Sequence, residues 1–408
     1  MKLKITGNLF SGLLLVLFLS ACTGSKTIST GNKGWVGTWS TAPQLVEPHN
    51  MPPEPGLTEN TLRQTVRVSI GGGVVRLRFS NAFSKSPVEL KSVAIAQSLE
   101  GSSVDVSTQK TLKFNNNPGI IMAPGGEAFS DPVKFNLKPG SRLAVTIHFG
   151  KTSPDVTGHP GSRTTSFILS GNNISSSGFA GAVKTDHWYV IHGIDVQANK
   201  NTKSVAVLGN SITDGRGSGT NKQNRWTDIL SARLLENPDT KNTGVLNLGI
   251  GGNCVVRGGL GPTALERFDR DILSQSNVRW LIILEGINDI GSAKTQVEAD
   301  KIAAELIAAY DEMINKAHAK GILVYGATML PFAGSFYDTP YRQTARDAVN
   351  EWIRNSRRFD AVIDFDKIMR NPENVKTILT DMHDGDFLHP NQAGYRRMGE
   401  NVNLGLFK

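Results

Sequence analysis

The apolar run Ser204-Val205-Ala206-Val207-Leu208 leads directly into Gly209-Asn210-Ser211-Ile212-Thr213-Asp214-Gly215. A short apolar run that ends in glycine reads as a buried strand opening into a turn. Open α/β folds bind their ligands at the carboxyl ends of such strands. A serine hydroxyl placed there is inert alone, because it needs a base within hydrogen-bond reach and a third group to hold that base. Asp386-Phe387-Leu388-His389-Pro390-Asn391 offers both in one short turn near the other end of the chain.

Two further segments repeat the pattern. Gly244-Val245-Leu246-Asn247-Leu248 is followed by Gly249-Ile250-Gly251-Gly252-Asn253, a glycine-rich turn whose N–H groups can come close to a reacting oxygen. Arg279-Trp280-Leu281-Ile282-Ile283-Leu284 is followed by Glu285-Gly286-Ile287-Asn288-Asp289, which puts an amide donor at the end of another strand. Acyl transfer needs such donors, because charge develops on the carbonyl oxygen. Each feature alone is an ordinary turn or surface loop; their joint occurrence, each at a strand mouth, is what points to a site.

These blocks resemble the SGNH (GDSL-like) hydrolase superfamily, named for the Ser, Gly, Asn and His of its four sequence blocks. Gly209-Asn210-Ser211-Ile212-Thr213 is similar to the first block, Gly252 to the second, Gly286-Ile287-Asn288-Asp289 to the third, and Asp386 with His389 to the last. The resemblance implies Ser211 as nucleophile, His389 as base and Asp386 as its orienter. It also implies the Ser211 amide, Gly252 and Asn288 as oxyanion donors. Trp226 after Asn224-Arg225, the stretch Leu265-Glu266-Arg267-Phe268-Asp269-Arg270-Asp271, and Phe336-Tyr337-Asp338-Thr339-Pro340 look like the bacterial branch grouped with xylan esterases. The usual block-one Asp is Asn210 here, which keeps the shape and loses the charge.

Outward from these blocks the chain divides in two. From Lys203 onward, strand-like runs at 204–208, 244–248, 279–285, 321–327 and 361–365 alternate with helical patterns, which implies a parallel sheet covered on both faces. Ile302, Leu306, Ala309 and Met313 predict a helix over about Val297–Lys320, stopped by Gly321, and a last helix is expected over Gln392–Asn403 after Pro390. Between Trp35 and about Val196 the period is two. Val66, Val68 and Ile70, the turn Gly71-Gly72-Gly73, then Val75, Leu77 and Phe79 predict a hairpin with one buried face; Leu143, Val145, Ile147 and Phe149 repeat the alternation. The expected fold is an α/β, three-layer α/β/α domain over 203–408 with a central parallel sheet, preceded by a β-sandwich-like domain over 34–198.

Lys2 and Lys4, the apolar run Leu13 to Leu19, and Leu19-Ser20-Ala21-Cys22 read as a secretory leader over 1–22, too short for a permanent span. Leu-Ser-Ala-Cys resembles a bacterial lipobox, which implies cleavage before Cys22 and lipid on its thiol. Residues 23–33 then form a flexible Gly/Ser/Thr/Lys-rich tether. Cys254, left as the only other cysteine, reads as a small packing residue. The formal charge is +8, or +6 once Lys2 and Lys4 leave with the leader; the basic residues are dispersed, so nucleic acid is not an expected partner. Gly215-Arg216-Gly217-Ser218-Gly219 has neither the Lys-Ser/Thr of a phosphate-binding loop nor dinucleotide spacing. No His-Glu-x-x-His or Cys-x-x-Cys is present, and His383 reads as a surface histidine, so neither metal nor cofactor is expected.

The expectation is an extracytoplasmic serine esterase, held to the bacterial outer membrane or cell surface by lipid. From the resemblance comes its substrate, O-acetyl groups of a polysaccharide such as xylan. The rivals are a lipase, thioesterase or arylesterase of the same fold, or a surface protein that binds glycan without turnover.

Overall fold

A computed structural model of the chain describes Met1, Lys2 and residues 34–408; the rest of the leader, Cys22 and the tether 23–33 lie outside the described residues. Five parallel strands, Lys203–Gly209, Thr243–Gly249, Val278–Leu284, Leu323–Ala327 and Ala361–Ile363, form one sheet in the order second, first, third, fourth, fifth. The order reverses at the first strand, and in open α/β sheets the crevice at such a reversal is where ligands bind. Ser211 follows that strand.

The first strand is apolar throughout because both of its faces are covered. Ala206 and Leu208 join one core with Leu306, Tyr310 and Met313 of helix Gln296–His318 and Val349 of helix Pro340–Asn355. Val205 and Val207 join the opposite core with Trp226, Leu230 and Leu234 of helix Trp226–Glu236 and Tyr395 and Met398 of helix Gln392–Glu400. These two layers and the sheet make the expected α/β/α stack. The last helix is shorter than its apolar pattern predicts: it stops at Glu400, and the chain closes in a separate turn, Leu404–Phe407.

The N-terminal region holds a five-stranded and a seven-stranded antiparallel sheet around one apolar core. The expected hairpin is not there. Thr61–Arg67 pairs with Arg142–Phe149 and Ser166–Leu169 in one sheet, whereas Gly72–Ser80 pairs with Ile191–Gln197 in the other. Val66, Val68 and Ile70, like Val75, Leu77 and Phe79, are all buried, so the alternation identifies the inward face. Strands that face each other across a core carry the same alternation as strands paired side by side, and the pattern does not distinguish them.

Residues 34–408 belong to one packing unit. Strand Trp35–Ser40 lies along the edge strand Thr243–Gly249: Ser204 Oγ donates to Gly37 O at 2.8 Å, Gly37 N to Ser276 O at 3.0 Å, and Val245 N to Ser69 Oγ at 3.0 Å. The N-terminal sheets thus cover an edge that would otherwise be open to strand addition.

Candidate active site

Gly209 ends the first strand, and the chain makes a single helical turn, Ser211–Asp214, before reversing at Gly215, whose φ of 105° suits glycine. Asn210 caps that turn, its Oδ1 accepting from Ile212 N at 3.1 Å. The turn is held from behind by Asn247 Nδ2, which donates to Thr213 O at 2.7 Å.

The last loop comes to meet it. Ser211 Oγ lies 2.8 Å from His389 Nε2, and His389 Nδ1 lies 2.6 Å from Asp386 Oδ2. The other Asp386 oxygen accepts from the backbone N–H groups of Leu388 and His389 at 3.0 and 2.8 Å, which fixes the carboxylate in its own turn. With Nδ1–H given to the carboxylate, Nε2 is left to accept the serine proton. His389 is buried, and that burial lowers its pKa from the ordinary histidine value; the Asp386 carboxylate opposes the drop without cancelling it. Burial alone would raise Asp386, but the hydrogen bonds from His389 and Leu388 hold it below the usual aspartate value. At neutral pH the arrangement is an uncharged imidazole beside a carboxylate.

Gly252 and Asn288 stand past the second and third strands. Gly252 has φ of 70°, and a Cβ there would press on Leu260 at 3.2 Å. Asn288 Nδ2 donates to Asn253 O at 2.7 Å, and Asn288 Oδ1 accepts from Tyr337 O–H at 3.0 Å. One amide hydrogen of Asn288 is therefore spent on the Gly252 loop, and its orientation is set by a tyrosine. The same loop is tied to the third strand by Asp289, whose carboxylate accepts from Val255 N and Val256 N at 2.8 and 3.0 Å; burial pushes that carboxyl up to about 6.

Beneath these groups lies a charge that sequence reasoning did not single out. Arg267 is fully buried and donates to Gly209 O at 3.1 Å, Leu248 O at 2.7 Å and Asn253 Oδ1 at 2.9 Å. Its ion-pair partners are Asp271 at 3.2 Å and Glu285 at 3.8 Å. One guanidinium thus staples the ends of the first and second strands to the glycine loop and the third strand, using the fork of donors that only arginine has. Glu285 in turn accepts from Asn210 Nδ2 at 3.1 Å. Burial pushes the Glu285 carboxyl up to about 8 against the pull of Arg267. Asn210, where the resemblance leads one to expect Asp, here supplies the hydrogen that this carboxyl accepts. Arg267 and Tyr337 sit in stretches quoted above for their likeness to the xylan-esterase branch, but no spacing rule ties them to Ser211.

Two other residues fall outside the relay. Cys254 is buried and its thiol is pushed far up by that burial, which suits packing and not nucleophilic attack. His383 Nδ1 accepts from Gly385 N at 3.1 Å and its ring stacks on Phe387 at 4.2 Å. Among the described residues, no three His, Cys, Asp or Glu side chains gather as metal ligands would.

Residues 207–397 match the model of the GDSL-like lipase/acylhydrolase family. A comparison with curated proteins gave no match. Similar solved structures include a G-D-S-L family protein from Desulfitobacterium hafniense DCB-2, 21% identical over 49% of this chain and 97% of that one, with a TM-score of 0.38. A GDSL-like lipase from Bacteroides thetaiotaomicron VPI-5482 is 22% identical over 50% and 88%, TM-score 0.35. An acetyl xylan esterase from Geobacillus stearothermophilus is 20% identical over 48% and 91%, TM-score 0.37.

Proposed function

The chain carries a GDSL-like lipase/acylhydrolase domain and is a carboxylic ester hydrolase, and from that premise we propose that it removes acetyl groups from the hydroxyls of a polysaccharide such as xylan, through an acyl-enzyme on Ser211. The observation that carries the mechanism is the unbroken line from Ser211 Oγ through the His389 ring to Asp386. Ser211 attacks the ester carbonyl as Nε2 takes its proton, and the charge on the carbonyl oxygen is met by the Ser211 and Gly252 amides and the Asn288 side chain. His389 then gives the proton to the departing sugar oxygen. Water, activated by the same nitrogen, releases acetate and restores the serine.

The substrate rests on what surrounds this line. The segments Gly249–Asn253 and Gly286–Asp289 are glycine-containing and carry no long apolar run that could close over a fatty acyl chain. Phe387, two residues before His389, is solvent-exposed, and Gly334 packs against its ring. Phe336, exposed as well, precedes the Tyr337 that orients Asn288. Phe336 offers exposed apolar surface to the C–H faces of a sugar, whereas the face of the Phe387 ring is taken by His383. The test is kcat/KM across acetyl, butyryl and octanoyl esters, with acetate release from a panel of acetylated glycans. The proposal expects rates to fall with chain length and acetate to appear from at least one glycan; rising rates with no acetate from any glycan would make the enzyme a lipase or thioesterase.

Export and anchoring through lipid on Cys22 are part of the same proposal and are supported by the leader sequence. No helix among the described residues is long and apolar enough to cross a membrane. Cys22→Ser should leave the membrane fraction; a variant that stays there after a salt wash is held by something else.

A further inference from the structure

The N-terminal sheets do more than cover an edge. His159, at the end of strand Thr157–His159, reaches the nucleophile turn: its Nε2 lies 2.9 Å from Asp214 Oδ1, and its Nδ1 lies 3.0 Å from Ala42 O. The Ala42 carbonyl and the Asp214 carboxylate both only accept, so both ring nitrogens donate and the ring is fixed at both ends. Trp188 stacks on it at 5.9 Å. Both members of the pair are buried, Asp214 at 2% and His159 at 3% exposure, and the cavity beside them holds about 40 Å³, room for a few waters and no substrate.

Asp214 is the last residue of the single turn that begins with Ser211. Its N–H donates to Asn210 O at 2.8 Å, and its own carbonyl accepts from Arg225 Nε at 2.8 Å. The carboxylate is surrounded from three sides: Gly161 of the N-terminal region leaves no space for a Cβ beside it, Gly251 of the oxyanion loop stands behind Oδ2, and Arg163 comes within 3.8 Å of that oxygen. Asp214 touches neither His389 nor the reacting atoms, so it has no part in proton transfer. A one-turn helix has too few internal bonds to hold a serine rigidly by itself.

We propose that His159 and Asp214 form a positioning pair through which the N-terminal region fixes the nucleophile turn, so that this region is a working part of the active site and not a separable accessory. The inference rests on Ser211 being the nucleophile. Displacements of about 1 Å in a catalytic group cost up to ~10²-fold in rate. Loss of the pair should therefore act on kcat and leave substrate binding nearly untouched.

The experiment uses the full mature chain with His159→Leu, His159→Gln, Asp214→Asn and the His159→Leu/Asp214→Asn double variant. Active serines are counted with a fluorophosphonate, and thermal unfolding is followed alongside. The expected result is a kcat per titrated serine lowered roughly 10- to 100-fold in His159→Leu and Asp214→Asn with KM within about twofold. The double variant should be no worse than the poorer single one, and His159→Gln, which keeps a donor toward Asp214, should recover part of the rate. A kcat per titrated serine within twofold of the parent in every variant that folds would overturn the proposal, as would losses that multiply in the double variant. If His159→Leu does not fold, the near-isosteric Asp214→Asn and His159→Gln decide by the same criteria. A parent chain that takes up no fluorophosphonate on Ser211 would instead defeat the nucleophile assignment beneath it.

Discussion

Ser211 Oγ and His389 Nε2 stand 2.8 Å apart although 178 residues separate them along the chain. The serine is delivered by the first parallel strand and the histidine by the loop before the last helix, Gln392–Glu400, and the two helix layers hold those elements in place.

A pH dependence follows from the state of that histidine. Catalysis needs His389 neutral, and burial lowers its pKa, so the rate should rise on the acid side with a midpoint below the ordinary histidine value of about 6.5. Asp386→Asn removes the charge that opposes this drop; the midpoint should move lower still, while the plateau falls roughly 10³–10⁴-fold for want of an oriented ring. A midpoint above 7 in the parent chain would contradict the burial argument.

Asn288 and Tyr337 should separate by magnitude. Asn288→Ala is expected to lower kcat ~10²–10³-fold with a smaller change in KM. Tyr337→Phe loses only the hydrogen bond that orients the amide, which corresponds to about 2–10-fold in kcat. Equal losses in the two variants would mean that Tyr337 contacts substrate itself.

Asn210→Asp restores the residue usual in the resembled family, yet it should harm this chain. It places a second, buried carboxyl against Glu285, which already keeps its own proton up to about 8 in the parent, so the introduced carboxyl must hold a further proton that an unfolded aspartate, with an ordinary value of about 3.9, has released. Because the folded state then binds more protons than the unfolded one, stability falls as pH rises. Thermal unfolding from pH 5 to 8 should show the variant losing ground to the parent at each step; a constant difference would remove Glu285 from the account.

The parts of the site that were legible in the sequence are those where local pattern and position coincide. Strands covered on both faces are apolar throughout, so Val205–Leu208 and Leu281–Leu284 announce themselves, and whatever follows them lies at the sheet's carboxyl edge. The groups that hold the catalytic residues were not legible in this way. Arg267, Tyr337, Glu285 and the His159–Asp214 pair are defined by partners far along the chain, and a buried arginine looks like a surface one until its acceptors are known. The misread hairpin has the same origin: alternation tells which way Val75 and Leu77 face, and only tertiary packing tells which strand lies beside them.

The central claim is that Ser211 carries the acyl group. Intact-mass measurement of the protein mixed with an activated acetyl ester, quenched in acid within the first turnovers and followed by peptide mapping, tests it most directly. The account predicts a single added acetyl located on Ser211 and absent from Ser211→Ala, whose hydrolysis should be lost with thermal unfolding nearly unchanged. Turnover in Ser211→Ala above about a tenth of the parent rate, or an acetyl adduct mapped to another residue, would contradict it.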